Sequence, residues 1–175
     1  MKLKHNTDNR FFVSKKDIFF VVDQAISAND TVVIIPNAIG LNGTGNSKFS
    51  NILYSKFPAI KGNIELSNKQ QLGSSQYIVA ASNQQKNQII CANMFCKHTK
   101  GKYNRVIDYG ALASCMLQVR TRAKTISSNT DKKIQIHSPK FGTGFAGGDW
   151  RTISNLINDI WARDFTCFIY EPKNV

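Results

Sequence analysis

Short apolar runs alternate along the chain with longer stretches in which apolar residues recur every three or four positions, and glycine-rich polar segments separate some of them. Arg10 to Ser14 (RFFVS) predicts a short strand. Ser14-x-x-Asp17 ahead of an apolar run has the form of a capping box, so a helix is expected next. In IFFVVDQAISA the apolar positions are too continuous to separate strand from helix by period, and we assign a helix ending near Asn29-Asp30. TVVIIP is a β-branched buried strand that runs straight into the glycine-rich loop NAIGLNGTGNS. Lys48 to Phe57 predicts a helix that Pro58 helps terminate, and Ala59 to Gln76 is a more variable stretch.

YIVAA and IICANMF follow as strands. Val106 to Ala123 carries a helical stripe through Leu112, Cys115, Met116 and Val119, and SNTDKK is a turn. KIQIH is an alternating strand that opens into a second glycine-rich loop, SPKFGTGFAGGDW, followed by the helix RTISNLINDIWAR and a last strand, TCFIY. Strands alternating with helices imply an α/β chain built as a three-layer α/β/α sandwich around a mixed, largely parallel sheet.

A chain of 175 residues is long enough for one domain with a full core, so a single domain over 1–175 is expected, with the ends 1–9 and 172–175 fraying. No apolar run approaches the ~20 residues of a membrane helix, and the N-terminus lacks the pattern of a secretory signal, so a cytoplasmic protein without a membrane partner is expected. Cys91, Cys96, Cys115 and Cys167 form no C-x-x-C pair and have no histidines at metal-finger spacing, so they read as buried thiols rather than metal ligands or a disulfide framework. The net charge of +12 raises the local concentration of polyanions. Nucleic acid and an anionic small ligand both fit it; a lysine- and asparagine-rich surface reflecting base composition fits equally, because the lysines are scattered rather than striped.

Both glycine-rich segments stand between a strand and a helix, which puts unpaired N–H groups and a positive helix end at the carboxyl edge of the sheet. Two such loops at one edge suggest a pyrophosphate held from both sides; two tight turns are the plainer alternative.

Asn37-Ala38-Ile39-Gly40-Leu41-Asn42-Gly43-Thr44-Gly45 resembles the macrodomain pattern N-x-x-G-x-x-G-x-G, and Pro139 to Trp150 resembles the later loop of the same family, P-x-x-G-x-G-x-x-G-x-x-W. The resemblance runs from about Asp17 to the end and is nearest the branch of terminal ADP-ribose glycohydrolases and the antitoxin that removes ADP-ribose from DNA. It implies a macrodomain fold that binds ADP-ribose, with no cofactor and no metal. Asp17, followed by Ile18, matches the acidic residue that meets the adenine amino group, with Asp23 a competing match. Asn37 matches the asparagine at the distal ribose, with Gly40, Gly43, Thr44 and Gly45 lining the reactive end. Gly142, Thr143, Gly144, Phe145, Ala146 and Gly147 match the loop whose N–H groups hold the diphosphate, Phe145 covering the distal ribose. Trp150 reads as core packing.

The resemblance also implies a catalytic lysine at Lys97, at the end of Asn93-Met94-Phe95-Cys96-Lys97, whose amine would attack an anomeric carbon once burial or the nearby Lys100 and Lys102 lower its pKa. The plainer reading of Lys97 to Lys102, where four of six residues are Lys or His, is a solvated basic loop. The family's aspartate in the later loop falls at Ala146 here, which leaves Asp149 as the nearest carboxylate, either a base or a helix cap. His98 is a reserve acid or base, and His137 a satisfied core residue. Three readings follow: a hydrolase acting on an ADP-ribosyl linkage to protein, nucleic acid or a terminal phosphate; a non-catalytic reader or sponge for ADP-ribose or cyclic ADP-ribose; and a basic nucleic-acid-binding adaptor.

Overall fold

The computed structural model describes residues 10–28, 30–42, 47–66, 70–98 and 105–171. In chain order they form β1 (Phe11–Ser14), α1 (Ile18–Ala28), β2 (Thr31–Gly40), α2 (Lys48–Lys56), α3 (Pro58–Leu66), β3 (Ser75–Ser82), β4 (Gln88–Lys97), α4 (Tyr109–Asn129), β5 (Lys133–Pro139), α5 (Trp150–Leu156) and β6 (Thr166–Tyr170). The sheet order is β1-β6-β5-β2-β4-β3; every neighbouring pair is parallel except β3 against β4. This is the mixed, largely parallel sheet that the alternation of elements implies.

β2 reads as an unbroken apolar run because it lies between β5 and β4 and is buried along its whole length. Its pleat divides its side chains between two cores. Val33, Ile35 and Ile39 pack on one side with Val22, Leu53 and Ile60 of α1, α2 and α3. Val32, Ile34 and Ala38 face Leu112, Met116 and Ile153 of α4 and α5. Each such buried isoleucine or leucine contributes roughly 1.5–3 kcal/mol of transfer free energy. Because the five strands from β1 to β4 in the sheet order run parallel, Ser14, Tyr170, Pro139, Gly40 and Lys97 all end at one edge.

Several local expectations are corrected. The α1 cap is Asp17, whose Oδ1 accepts the Phe20 N–H at 2.9 Å; Ser14 instead accepts the Lys16 N–H at 3.2 Å, so the S-x-x-D spacing is not a capping box. Asn37 to Gly40 belong to β2 rather than to a loop, since β4 continues beside them and pairs Asn37 with Asn93 and Gly40 with Lys97. The stretch after Pro58 is helical: proline opens α3, where its missing N–H costs nothing, and Ile60 and Ile64, one turn apart, are buried. The helix expected from Val106 starts at Tyr109, because Ile107 still pairs with Lys97 and Asp108 is the cap, and it runs on to Asn129. Beyond α5 a π-helical turn, Ile157–Trp161, adds one residue and brings Trp161 into the core, where Nε1–H donates to the Met116 carbonyl at 2.9 Å.

His137 is buried on β5, with Nδ1 2.8 Å from the Tyr170 hydroxyl and Nε2 3.0 Å from Gln135 Oε1, and burial lowers its pKa from 6.5 to about 4. Above the unfolded-state value both states are neutral; as pH falls towards the folded value only the unfolded chain takes the proton, and stability is lost. Denaturant unfolding of the wild type is therefore expected to lose about 2 kcal/mol from this group between pH 7.5 and pH 5, and His137→Gln to lose correspondingly less over the same interval.

Candidate functional site

A cavity of about 670 Å³ opens at the carboxyl edge of the sheet. Its lining comes from the end of β2 and the residues after it (Pro36, Asn37, Ala38, Gly40, Asn42), the start of α2 (Ser47, Lys48, Phe49), the end of β4 (Lys97, His98), Val106, and the segment after β5 from Pro139 to Ala146. Among the described residues that line it, three are lysines, one is a histidine and none is Asp or Glu. Crevices outside the carboxyl ends of parallel strands are where open α/β sheets bind ligands.

The late loop owes its shape to two glycines. Gly142 has a φ of +79°, and a Cβ there would sit 2.8 Å from the δ-methyls of both Ile107 and Ile153. A Cβ on Gly148 would sit 2.6 Å from the Gly142 carbonyl oxygen, which accepts the Gly148 N–H at 2.8 Å. Gly147 N–H closes a second turn onto the Gly144 carbonyl at 2.9 Å. The Ala146 carbonyl accepts the Val106 and Ile107 N–H groups at 3.1 and 3.2 Å, which ties the loop to the chain leaving β4. Between these anchors the N–H groups of Thr143, Gly144 and Phe145 have no partner among the described residues. Such a run of free donors is an anion site in chemical terms. The Phe145 side chain is fully exposed at the rim, and Ala146 is buried.

Lys97 ends β4 in a partly buried position, and burial lowers its pKa, with the neighbouring Cys96 opposing the shift. Lys140 is tied to Glu171 at 3.4 Å and lies over the Trp150 ring at 5.2 Å, so Trp150 meets the cavity's lysine rather than the cavity itself. All four cysteines are free and buried; burial pushes the Cys96 thiol up to about 12.

Asn37 is 2% exposed and its amide is engaged in full. Nδ2 donates to Asn93 Oδ1 at 2.9 Å and to the Tyr54 hydroxyl at 3.2 Å, while Oδ1 accepts the Ser50 hydroxyl at 2.9 Å. Ser50 in turn bonds Ser47, the α2 cap, at 2.7 Å. Asn37 thus lines the cavity while fastening the first turn of α2 to the sheet. The pairing of Asn37 with Asn93, Ser50 and Tyr54 was not legible in the sequence, because these positions are separated by up to 56 residues.

The other expected site residues fall as follows. Asp17 and Ile18 stand at the start of α1, at the same edge of the sheet but outside the cavity lining, with Ile18 buried in the core. Asp23 is paired with Lys56 at 2.7 Å. Asp149 is exposed and caps α5: the Thr152 N–H and hydroxyl both reach its Oδ2 at 2.8 Å, the N–H chiefly holding its pKa below the ordinary range. It does not line the cavity. Gly43, Thr44, Gly45, Lys100 and Lys102 lie outside the described residues. Ser47, Lys48, Lys140 and Asp108 were not anticipated; the position of Ser47 ahead of a helical stripe was the available signal.

No protein-family model and no curated protein matches the sequence. Among solved structures, a macrodomain protein from Streptomyces coelicolor is 19% identical, with a TM-score of 0.64 over 93% of this chain and 99% of that one. The macrodomain of Mycobacterium tuberculosis DarG is 12% identical, with a TM-score of 0.68 over 93% of this chain and 98% of its own. Thermosipho africanus DarTG in complex with ADP-ribose is 14% identical, with a TM-score of 0.67 over 100% of this chain and 44% of that longer one. At these identities the likeness is one of fold, and the fold of this chain is that of the macrodomains.

Two substitutions probe the construction of the site. Gly142→Ala, strained at positive φ and crowded by two isoleucines, is expected to lower unfolding stability by about 1–3 kcal/mol in denaturant titration. Ser50→Ala, which removes one donor from the buried Asn37 cluster, is expected to cost about 1–2 kcal/mol in the same measurement.

Proposed function

We propose that the chain binds ADP-ribose or a close derivative in the carboxyl-edge cavity and hydrolyses an ADP-ribosyl linkage. The observation that carries the binding half is the conjunction of the free N–H groups of Thr143, Gly144 and Phe145 with Lys48, Lys97 and Lys140 in a lining that holds no acid among its described residues. Donors fixed in place by Gly142, Gly147 and Gly148 need no reorganisation to receive a diphosphate. The ADP-ribose in complex with Thermosipho africanus DarTG, 44% of whose chain matches this fold, supports the choice among anionic ligands.

On this reading the diphosphate sits on the late loop, Phe145 folds over the distal ribose, and Asp17 with Ile18 receives the adenine at the neighbouring strand end. The reactive end lies towards Gly40, Gly43, Thr44 and Gly45, against Asn37. Lys97 supplies the catalytic amine or positive charge: its partial burial favours the neutral amine, the form that can act as a nucleophile. A second reading, a reader or sponge that holds ADP-ribose or cyclic ADP-ribose without turnover, is favoured by one feature: Ala146 brings no carboxylate into the cavity and Asp149 is occupied as a helix cap.

Calorimetric titration with ADP-ribose, paired with hydrolysis assays on ADP-ribosylated protein, ADP-ribosylated DNA and ADP-ribose 1″-phosphate, tests the proposal. Binding is expected for the wild type, with turnover of at least one substrate that falls about 100-fold or more in Lys97→Ala. Binding without turnover establishes the reader, and no binding overturns both readings.

A further inference from the structure

The described residues of the cavity lining hold no carboxylate, but one of them, His98, meets the carboxylate of Asp108. The segment Val106 to Asp108 is held between the end of β4 and the late loop: His98 N–H donates to the Val106 carbonyl at 2.9 Å, Asp108 N–H to the Cys96 carbonyl at 2.9 Å, and Val106 and Ile107 N–H to the Ala146 carbonyl. This puts Val106 between His98 and Ala146, both of which line the cavity. Asp108 is fixed at both oxygens. Oδ1 accepts the Ala111 N–H at 2.8 Å as the cap of α4, and Oδ2 lies 3.2 Å from His98 Nε2.

We propose that His98 is the general base of the hydrolysis and that Asp108 is its positioning residue, together supplying from the β4 side the acid–base function that Ala146 does not supply from the loop. This rests on the ADP-ribose reading above. The Ala111 N–H, and after it the His98 contact, hold the Asp108 carboxyl below its ordinary range against the opposing effect of burial, so it accepts and does not donate. Nε2 of His98 therefore carries the ring proton towards Asp108, and Nδ1 keeps a lone pair for water. The residue pair is partly solvated, 46% and 37% exposed, as a site that admits water requires. Asp108, the cap of α4, meets His98; Arg105 is turned onto the Tyr109 ring, and Lys48, Lys97 and Lys140 line the same cavity as His98.

The step is a hydrolysis with no change of oxidation state. In this step Lys97 acts through its positive charge and not as the nucleophile: water oxygen bonds to the anomeric carbon of the distal ribose as His98 Nδ1 takes a proton from it. The bond from that carbon to the leaving atom breaks with its electron pair on the leaving group, which takes a proton from solvent, and the imidazolium returns its proton to solvent. The products are free ADP-ribose and the protonated leaving group.

The test uses the full chain with His98→Gln and Asp108→Asn; asparagine caps helices as well as aspartate, so α4 keeps its start. ADP-ribose affinity, kcat and KM are measured on the three substrates named above, across about pH 5 to pH 9. His98→Gln is expected to lower kcat about 100-fold with little change in ADP-ribose affinity, and to lose the acid limb of the pH profile. Asp108→Asn is expected to lower kcat about tenfold with KM little changed, because the ring loses the carboxylate that fixes its orientation. A purely structural pair would lower thermal stability and leave the limb in place, and that result overturns the proposal. So does a wild type that binds ADP-ribose and turns over none of the substrates. A wild type that does not bind ADP-ribose at all overturns the reading beneath it, a distinct failure visible in the titration alone.

Discussion

The carbonyl oxygen of Ala146 accepts two backbone N–H groups, from Val106 and Ile107, and the cavity takes its shape from that junction. Without it the late loop would be anchored only at the end of β5 and the start of α5. With it, the loop is fastened across the sheet to the chain leaving β4, and Gly142, Gly147 and Gly148 make the turns that the fastening demands. Ile107, which supplies one of those donors, also pairs with Lys97 and packs against Gly142, so one buried residue joins the strand end, the loop and the core.

A second constraint is electrostatic. Lys48, Lys97 and Lys140 converge on one cavity with no acid among its described lining residues, and such an arrangement is stable only as far as solvent or an anion compensates it. The carboxylates near the edge are engaged elsewhere, since Asp17 and Asp149 cap helices, Glu171 holds Lys140, and Asp108 caps α4 while meeting His98. The start of α2 is fastened to the sheet by neutral groups, the Asn37–Ser50–Asn93 cluster.

Much of the fold was legible in the sequence because its periods are distinct. TVVIIP read as a buried strand, KIQIH as an alternating one and TCFIY as the last strand, their alternation with helices implied a sheet covered on both faces, and the two glycine-rich segments marked the edge where a ligand would sit. What was not legible depended on pairing between distant residues. Nothing local shows that β4 runs on beside Asn37 to Gly40 and turns them from loop into strand. α3 was hidden because Pro58 was read as an end, whereas at the first helical position it is a beginning. Within the site, the glycines and Lys97 were readable from motif and the capping alternative for Asp149 from its place before a helix; the engagement of Asn37 and the meeting of Asp108 with His98 arise from side chains brought together by the fold.

A crystal structure of the protein with ADP-ribose is the most direct test of the late loop as the diphosphate site. Diphosphate oxygens are expected within hydrogen-bond distance of the Thr143, Gly144 and Phe145 N–H groups, with the distal ribose turned towards Lys97. A diphosphate bound elsewhere, with those N–H groups facing only water, would contradict that assignment.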